Sequence, residues 1–362
     1  MTRMLALPRA SRVVDETRAR MRGPSIAPDV IREVLAACGL TPRGRAHDLG
    51  GGRSRNVVVG TGAGPKVVKR YRDGWAPETI AYGHSILDRL AALGEPAPWL
   101  VRTADGRTQI EVNGDSYAVF DRLPGRTYTS TYLRRTDRSR LMTLAGATLQ
   151  RWHEALDGFQ PEGRHHMGFA GLEGPRARGL DWYRSTVEDL RHDRVGSPRL
   201  VAEGPSLLDR IAGLDDALGR LDLPRRVIHG DFGLHNLMIH RGVAAPVDVE
   251  LSRIDWRVTD LLLIVGKHLD GGEPDVELLA ALFEAYGGVD EVERAGLGDA
   301  WRYQCATSAV RSWVSVVGSA DAPVRIAAAH RSLDRSTWAE EHPDVLSRLF
   351  RVAPVTRRAA HA

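Results

Sequence analysis

The spacing of apolar positions changes partway along the chain. Up to about residue 123 they come in short runs: Val57–Val59, Lys66–Tyr71 around Val67 and Val68, Gln109–Val112 and Tyr117–Leu123, separated by glycine- and proline-bearing turns. Runs of this length with β-branched centres predict strands. Two helical segments interrupt them. Ser25 to Leu40 carries Ile31, Val34, Leu35 and Cys38 on one stripe, with Ser25 ahead of Pro28 as the start signal and Gly39 as the stop; Pro77 to Leu93 is the second. Beyond residue 125 the repeat becomes helical. Leu141, Ala145, Leu149, Trp152 and Leu156 form one stripe, and Leu207, Ile211, Leu214, Leu218 and Leu221 another, broken by Pro224. Val276, Leu279, Phe283 and Tyr286 mark a further helix, and two more are predicted at Leu297–Val317 and Val324–Leu333.

One stretch of the helical half reverts to short apolar runs, and the chain's chemistry is concentrated there. Val227-Ile228 leads into His229-Gly230-Asp231, Asn236 follows five positions later, and Leu237–Ile239, an Arg241-Gly242 turn and a second apolar run flank Asp248. Strand, polar loop and hairpin in that order return two carboxylates and one amide to one place. Phosphoryl transfer needs such a set: a carboxylate aimed at the attacking hydroxyl, and oxygen ligands for Mg²⁺ on the nucleotide phosphates.

On these residues the chain resembles the aminoglycoside phosphotransferase and choline kinase superfamily, whose loop reads His-Gly-Asp-x-x-x-x-Asn. Val247-Asp248-Val249 stands where that family has a hydrophobic-Asp-aromatic triplet, and Asp260-Leu261 where it has an Asp-Leu pair. Val249 departs from the usual Phe or Trp, and Ile254-Asp255-Trp256 resembles the triplet more closely but lies nearer Asp260, so Asp255 is a second metal candidate. The resemblance covers roughly residues 25–320 and implies a two-lobed, protein-kinase-like α+β fold. It divides the chain into an extension at 1–23, a nucleotide-binding lobe at 24–121 with an antiparallel sheet and one main helix, and a mainly helical lobe at 122–362.

What the resemblance implies for the site is specific. Asp231 is the catalytic residue, Asn236 and Asp248 hold Mg²⁺, and ATP or GTP is the phosphate donor. Lys69, after two valines, takes the place of the phosphate-pairing lysine. Gly51, Gly52 and Asn56 form the phosphate-side turn, and Phe120, Asp121 and Leu123 line the inter-lobe linker that meets adenine through its main chain. The lysine's glutamate partner falls by position on Gly83 or His84, and the nearest acid upstream is Glu78. Trp152-His153 resembles a Leu-His pair of the family's helix, with His153 a structural residue, and His229 shapes the loop rather than transferring protons.

Composition narrows the function further. At 362 residues, 43% hydrophobic and 27% charged, the chain has the make-up of a soluble globular protein, with no apolar run of membrane-spanning length and no signal-peptide pattern at its start. Two distant cysteines, Cys38 and Cys305, propose no disulfide or metal scheme, and His165-His166 has no third ligand at metal spacing, which together fit a reducing cytoplasm. From Met1 to Arg72 fifteen Lys/Arg face five Asp/Glu, yet no aromatic interleaving or zinc spacing points to nucleic acid. From Asp270 to Asp299 nine acids face one Arg, either a solvated helix face or a surface that attracts a cationic acceptor. The tail Arg357–Ala362 reads as disordered. Acceptors open at this stage are a hydroxyl on a cationic antibiotic or amino sugar (a resistance role), a peptide Ser or Thr in a natural-product pathway, and choline, homoserine or a sugar; the alternative class is a nucleotide-binding scaffold without catalysis.

Overall fold

A computed structural model of the chain describes residues 26–49, 54–71, 75–128, 135–165, 179–267, 275–317, 322–344, 350–351 and 353–355. The N-terminal extension, Ser25, Gly51, Gly52, His166 and the tail lie outside the described residues. The chain divides into two compact units. The first comprises Met1–Ala91, Ala97–Pro124 and Pro161–Arg164, and the second Ala92–Pro96, Gly125–Gln160 and His165–Ala362.

In the first unit the strands are β1 Pro42–Asp48, β2 Arg55–Thr61, β3 Lys66–Arg70, β4 Leu100–Val101, β5 Ile110–Val112 and β6 Asp115–Asp121. They form one antiparallel sheet in the order β1-β2-β3-β6-β4, with β5 also on β6. Side chains alternate between its faces. Val57, Val59, Val68 and Val119 bury one face against Ile31, Val34 and Leu35 of helix α1, Pro28–Ala37. Lys69 and Ala118, which are direct cross-strand partners, lie on the other. Helix α1 starts later than its sequence signals suggest: Ala27 is the N-cap, without a side-chain bond, and Pro28 opens the first turn. Proline's missing N–H costs nothing there, and its fixed φ suits the helix, so the start needs no polar cap. Helix α2, Pro77–Ala92, buries Ile80, Leu87 and Leu90, with His84 on the same stripe.

The second unit holds helices α3 Arg135–Ala155, α4 Gly179–His192, α5 Pro198–Gly219, α6 Val258–Lys267, α7 Val276–Tyr286, α8 Glu291–Val314 and α9 Ala322–Glu341. The stripe Leu141, Ala145, Leu149, Trp152 and Leu156 is buried. Helices α3 and α7 approach closely at Gly146, where a Cβ would meet the Leu282 carbonyl oxygen at 2.2 Å. Helix α4 has no counterpart among the sequence-predicted elements. Its buried stripe, Tyr183, Val187 and Leu190, is diluted by Asp181, Arg184, Glu188 and Asp189, which mask the period. Between α5 and α6 run four short strands: β7 Arg225–Ile228, β8 Leu237–His240, β9 Val243–Pro246 and β10 Arg253–Trp256. The β8–β9 hairpin forms as the sequence predicts, its turn carried by Arg241 and Gly242 at φ 48° and 83°. Two successive positive φ values make the turn type whose twist matches the strands it joins. Strand β10 pairs antiparallel with β7, closing a second ribbon beneath the loop.

Candidate functional site

The loop from Ile228 to Asn236 is fixed by its backbone. Asp260, in the first turn of α6, is fully buried, and its carboxylate accepts the N–H of His229 at 2.7 Å and of Gly230 at 2.9 Å. Burial alone would raise its pKa. The neighbouring His153 ring, Nε2 at 3.4 Å, together with His229 outweighs burial and holds Asp260 below the usual carboxylate range. His153 Nδ1 in turn meets the Tyr286 hydroxyl at 2.8 Å, and burial raises the pKa of that phenol, which stays protonated. Gly230 is needed sterically: at φ 77° a Cβ would stand 2.1 Å from the Leu251 carbonyl oxygen and 2.7 Å from Arg253 Nη1.

His229 joins the loop to the hairpin. Its Nε2 donates to the Val247 carbonyl at 3.0 Å, while Nδ1 accepts the Asp231 N–H at 3.4 Å. One donor and one acceptor is the bonding of a neutral imidazole. Complete burial keeps it neutral by lowering its pKa, against the pull of Asp260, Asp231 and Asp248. The ring packs between Trp152 and Phe232, centroids at 5.3 and 5.7 Å, and Trp152 Nε1 donates to the Val227 carbonyl at 3.1 Å.

On this frame Asn236 and Asp231 meet directly. Asn236 Nδ2 lies 3.0 Å from both the Asp231 carbonyl and Oδ2, and the Asn236 carbonyl accepts the Val247 N–H at 2.9 Å. Val247 is therefore held from both sides, by His229 and by Asn236, immediately before Asp248. Asp248 itself is exposed and sits in the left-handed region at φ 65°, ψ 60°. His235 Nε2 stands 3.5 Å from Asp231 Oδ2, a neighbour that the loop motif does not announce. Val249 buries its side chain in the 3-10 turn Val249–Leu251, so the position that departs from the family pattern still packs.

Asp255 has a different occupation. It is buried, with Oδ2 accepting from Arg253 at 3.1 Å (Nε) and 3.0 Å (Nη2) and Oδ1 accepting the Trp256 N–H at 2.8 Å. Both oxygens are committed to the protein. Asn236 and Asp248 offer the oxygen donors that Mg²⁺ takes: the Asn236 amide nitrogen makes the contacts to Asp231, which turns its side-chain oxygen to other partners. Mg²⁺ is commonly held by one or two protein oxygens plus substrate phosphates and water. Among the described residues no group of three or more His, Cys, Asp or Glu could hold a metal ion.

In the first unit, Lys69 is buried in β3, with Asn56 of β2 and Ala118 of β6 as its direct cross-strand partners. Its Nζ stands 5.3 Å from the centre of the Tyr71 ring. Glu78 is exposed in the first turn of α2, where its main-chain carbonyl accepts the Arg164 N–H; its carboxylate makes no ion pair among the described residues. The residue turned toward this area is His84, whose pKa drops to about 3, chiefly through burial and then through the charges of Lys69 and Arg102. Phe120 is buried near it, the two rings edge to face at 6.1 Å. The Asp121 side chain is salt-bridged to Lys66, and the Asp121 and Arg122 N–H groups are bonded to the Trp99 and Pro65 carbonyls. Leu123 is thus the first residue past β6 whose N–H has no partner among the described residues.

Three of the acids of residues 275–299 have structural roles. Asp275 caps α7, Asp290 caps α8 in a reciprocal box with Glu293, and the buried Glu293 also pairs with Arg257. No helix among the described residues is long and apolar enough to cross a membrane.

A model of the phosphotransferase enzyme family matches residues 46–297. No curated protein sequence matches the chain. Among solved structures, amicoumacin kinase hAmiN, in complex with AMP-PNP, Ca²⁺ and Ami, superposes with a TM-score of 0.64 at 15% identity, covering 94% of this chain and 98% of that one. A choline/ethanolamine kinase family protein from Mesorhizobium loti gives 0.59 at 17% identity over 88% and 99%. Spectinomycin phosphotransferase APH(9)-Ia, with ADP and spectinomycin, gives 0.56 at 13% over 91% and 99%. These likenesses establish the two-part, kinase-like α+β fold.

Proposed function

The chain belongs to the phosphotransferase enzyme family, a phosphotransferase with an alcohol group as acceptor, and on that premise we propose that it moves the γ-phosphoryl group of ATP to a hydroxyl of a small amine-bearing molecule, an antibiotic or an amino alcohol. The observation that carries the chemistry is the loop geometry: Asp231 fixed by Asn236 Nδ2 at 3.0 Å, with His229 and Asn236 together holding the segment before Asp248. Asp231 takes the proton of the acceptor hydroxyl as its oxygen attacks the γ-phosphorus, and the bond to the bridging oxygen breaks to release the nucleoside diphosphate. Asn236 Oδ1 and Asp248 are the residues that would hold Mg²⁺, which supplies compensation of phosphate charge when bound. Lys69 holds the nucleotide phosphates, with Asn56 beside it, and the linker at Phe120, Asp121 and Leu123 meets the base.

The amine-bearing acceptor is supported by the compounds named for structures of this fold, which include spectinomycin, ethanolamine and aminopropanol. Within the described part of the acidic run, Asp275, Asp290 and Glu293 are already engaged and add little support. The test is release of ADP from Mg·ATP by the purified chain against aminocyclitols, ethanolamine, choline, homoserine and neutral sugars, with Asp231→Asn as control. Turnover confined to neutral sugars would exclude the amine-bearing class, and an equally active Asp231→Asn chain would exclude the mechanism.

A further inference from the structure

Helix α2 places a polar side chain on its buried stripe, and what satisfies it points to a task. His84 lies between Ile80 and Leu87 and is 3% exposed. A buried imidazole is costly unless both nitrogens find partners. Here both do: Nε2 meets the Tyr71 hydroxyl at 2.7 Å and Nδ1 the Thr108 hydroxyl at 2.7 Å. Tyr71 is itself buried, its N–H bonded to the Ser116 carbonyl at 2.9 Å and its ring stacked on Trp75 at 6.1 Å. The face of that fixed ring lies under Lys69 Nζ.

We propose that Tyr71, fixed through His84 and Thr108, is a positioning residue for Lys69: the ring is a cation–π seat that sets where the ammonium stands. This role rests on the reading of Lys69 as the residue that holds the nucleotide phosphates. A lysine side chain loses much rotamer freedom when immobilised, and an aromatic seat within about 6 Å offsets part of that loss while leaving the ammonium's N–H donors able to bond phosphate. The seat works only if the ring cannot swing, and the two-hydroxyl clamp on His84 supplies that restraint from a separate helix and loop. Phe120, edge-on to the same imidazole, ties the seat to the strand that leads into the linker.

The test compares binding of Mg·AMP-PNP, by calorimetry on the full chain, with binding of adenosine, by ligand-observed NMR. Tyr71→Leu removes the seat and should weaken AMP-PNP roughly tenfold while adenosine stays within about twofold. Tyr71→Phe keeps the ring and cuts the clamp, as does His84→Gln. Each should weaken AMP-PNP by roughly threefold, and the double variant should lose no more than the worse single one, because both break the same link. Thermal unfolding checks that each variant folds; if Tyr71→Leu does not, Tyr71→Phe is judged by the same selectivity. Equal losses for AMP-PNP and adenosine, or an unchanged AMP-PNP affinity, would overturn the role. A wild-type chain that binds no AMP-PNP would instead sink the nucleotide reading, and this role with it.

Discussion

The two parts of the proposed machinery are held by opposite means. In the helical unit the loop is fixed by charge: a buried carboxylate, Asp260, accepts two main-chain N–H groups, and a second buried carboxylate, Asp255, is locked to Arg253. In the sheet unit the proposed seat of Lys69 is built from neutral groups, a ring held through an imidazole and two hydroxyls. A charged anchor is strong and directional but fails completely when one partner is lost. A neutral clamp is weaker, and losing a partner costs less. Loss of one partner should therefore cost the loop more than it costs the lysine seat.

Four measurements test that contrast, beginning with the largest effect. Replacing Asp231 by Asn should cut turnover on the order of 10²- to 10⁴-fold with nucleotide binding intact, because an amide cannot take the hydroxyl proton. Asp255→Ala should destabilise the chain by about 3–5 kcal/mol in denaturant unfolding, since it leaves the Arg253 guanidinium buried and unpaired. Asp248→Ala should instead abolish Mg²⁺-supported nucleotide binding with little effect on unfolding. The reverse pattern would move the metal to Asp255.

The third measurement is pH dependence of stability. The His84 pKa is about 3 in the folded chain against 6.5 ordinarily, so on unfolding below pH 6.5 the residue takes up a proton that it lacks when folded. Its contribution is thus complete above pH 6.5 and is lost as the pH falls toward 3, at up to about 1.4 kcal/mol per pH unit. His229, also lowered by burial, acts in the same direction. His84→Gln should flatten the acid limb of a midpoint-versus-pH plot, and an unchanged slope would show that the imidazole is charged in place. The smallest effect is that of salt. With Asp275, Asp290 and Glu293 engaged in caps and a pair, raising ionic strength several-fold should change the apparent affinity for an amine-bearing acceptor by less than roughly threefold.

The same contrast explains what could be read in the sequence. The loop was legible because polar residues at fixed spacing leave a pattern: His229, Asp231, Asn236, Asp248 and Asp260 all stand where the motif puts them, and the Arg241-Gly242 turn announces its hairpin. The β-to-helix change of period near residue 123 likewise gave the two-part fold. The lysine seat was not legible, because Tyr71, His84 and Thr108 come from a strand end, a helix and a loop, and no local spacing joins them. The only signal was a histidine on an apolar stripe, between Ile80 and Leu87. Asp255 illustrates the converse: its triplet resembles a metal site, but a partner two residues away, Arg253, already engages it, and spacing alone does not reveal that pairing. Helix α4 went unseen because its charges outnumber its stripe.

The left-handed backbone at Asp248 sets function against durability over evolutionary time. A non-glycine residue there carries strain of order 1–3 kcal/mol, which glycine would release at once. If Asp248 has the role proposed for it, a lineage kept only for persistence in heat would drift toward glycine at this position and come to rest as a sturdier, inert descendant. On the proposed role of Asp248, glycine at this one site in a sister sequence marks a chain that folds and has stopped turning over.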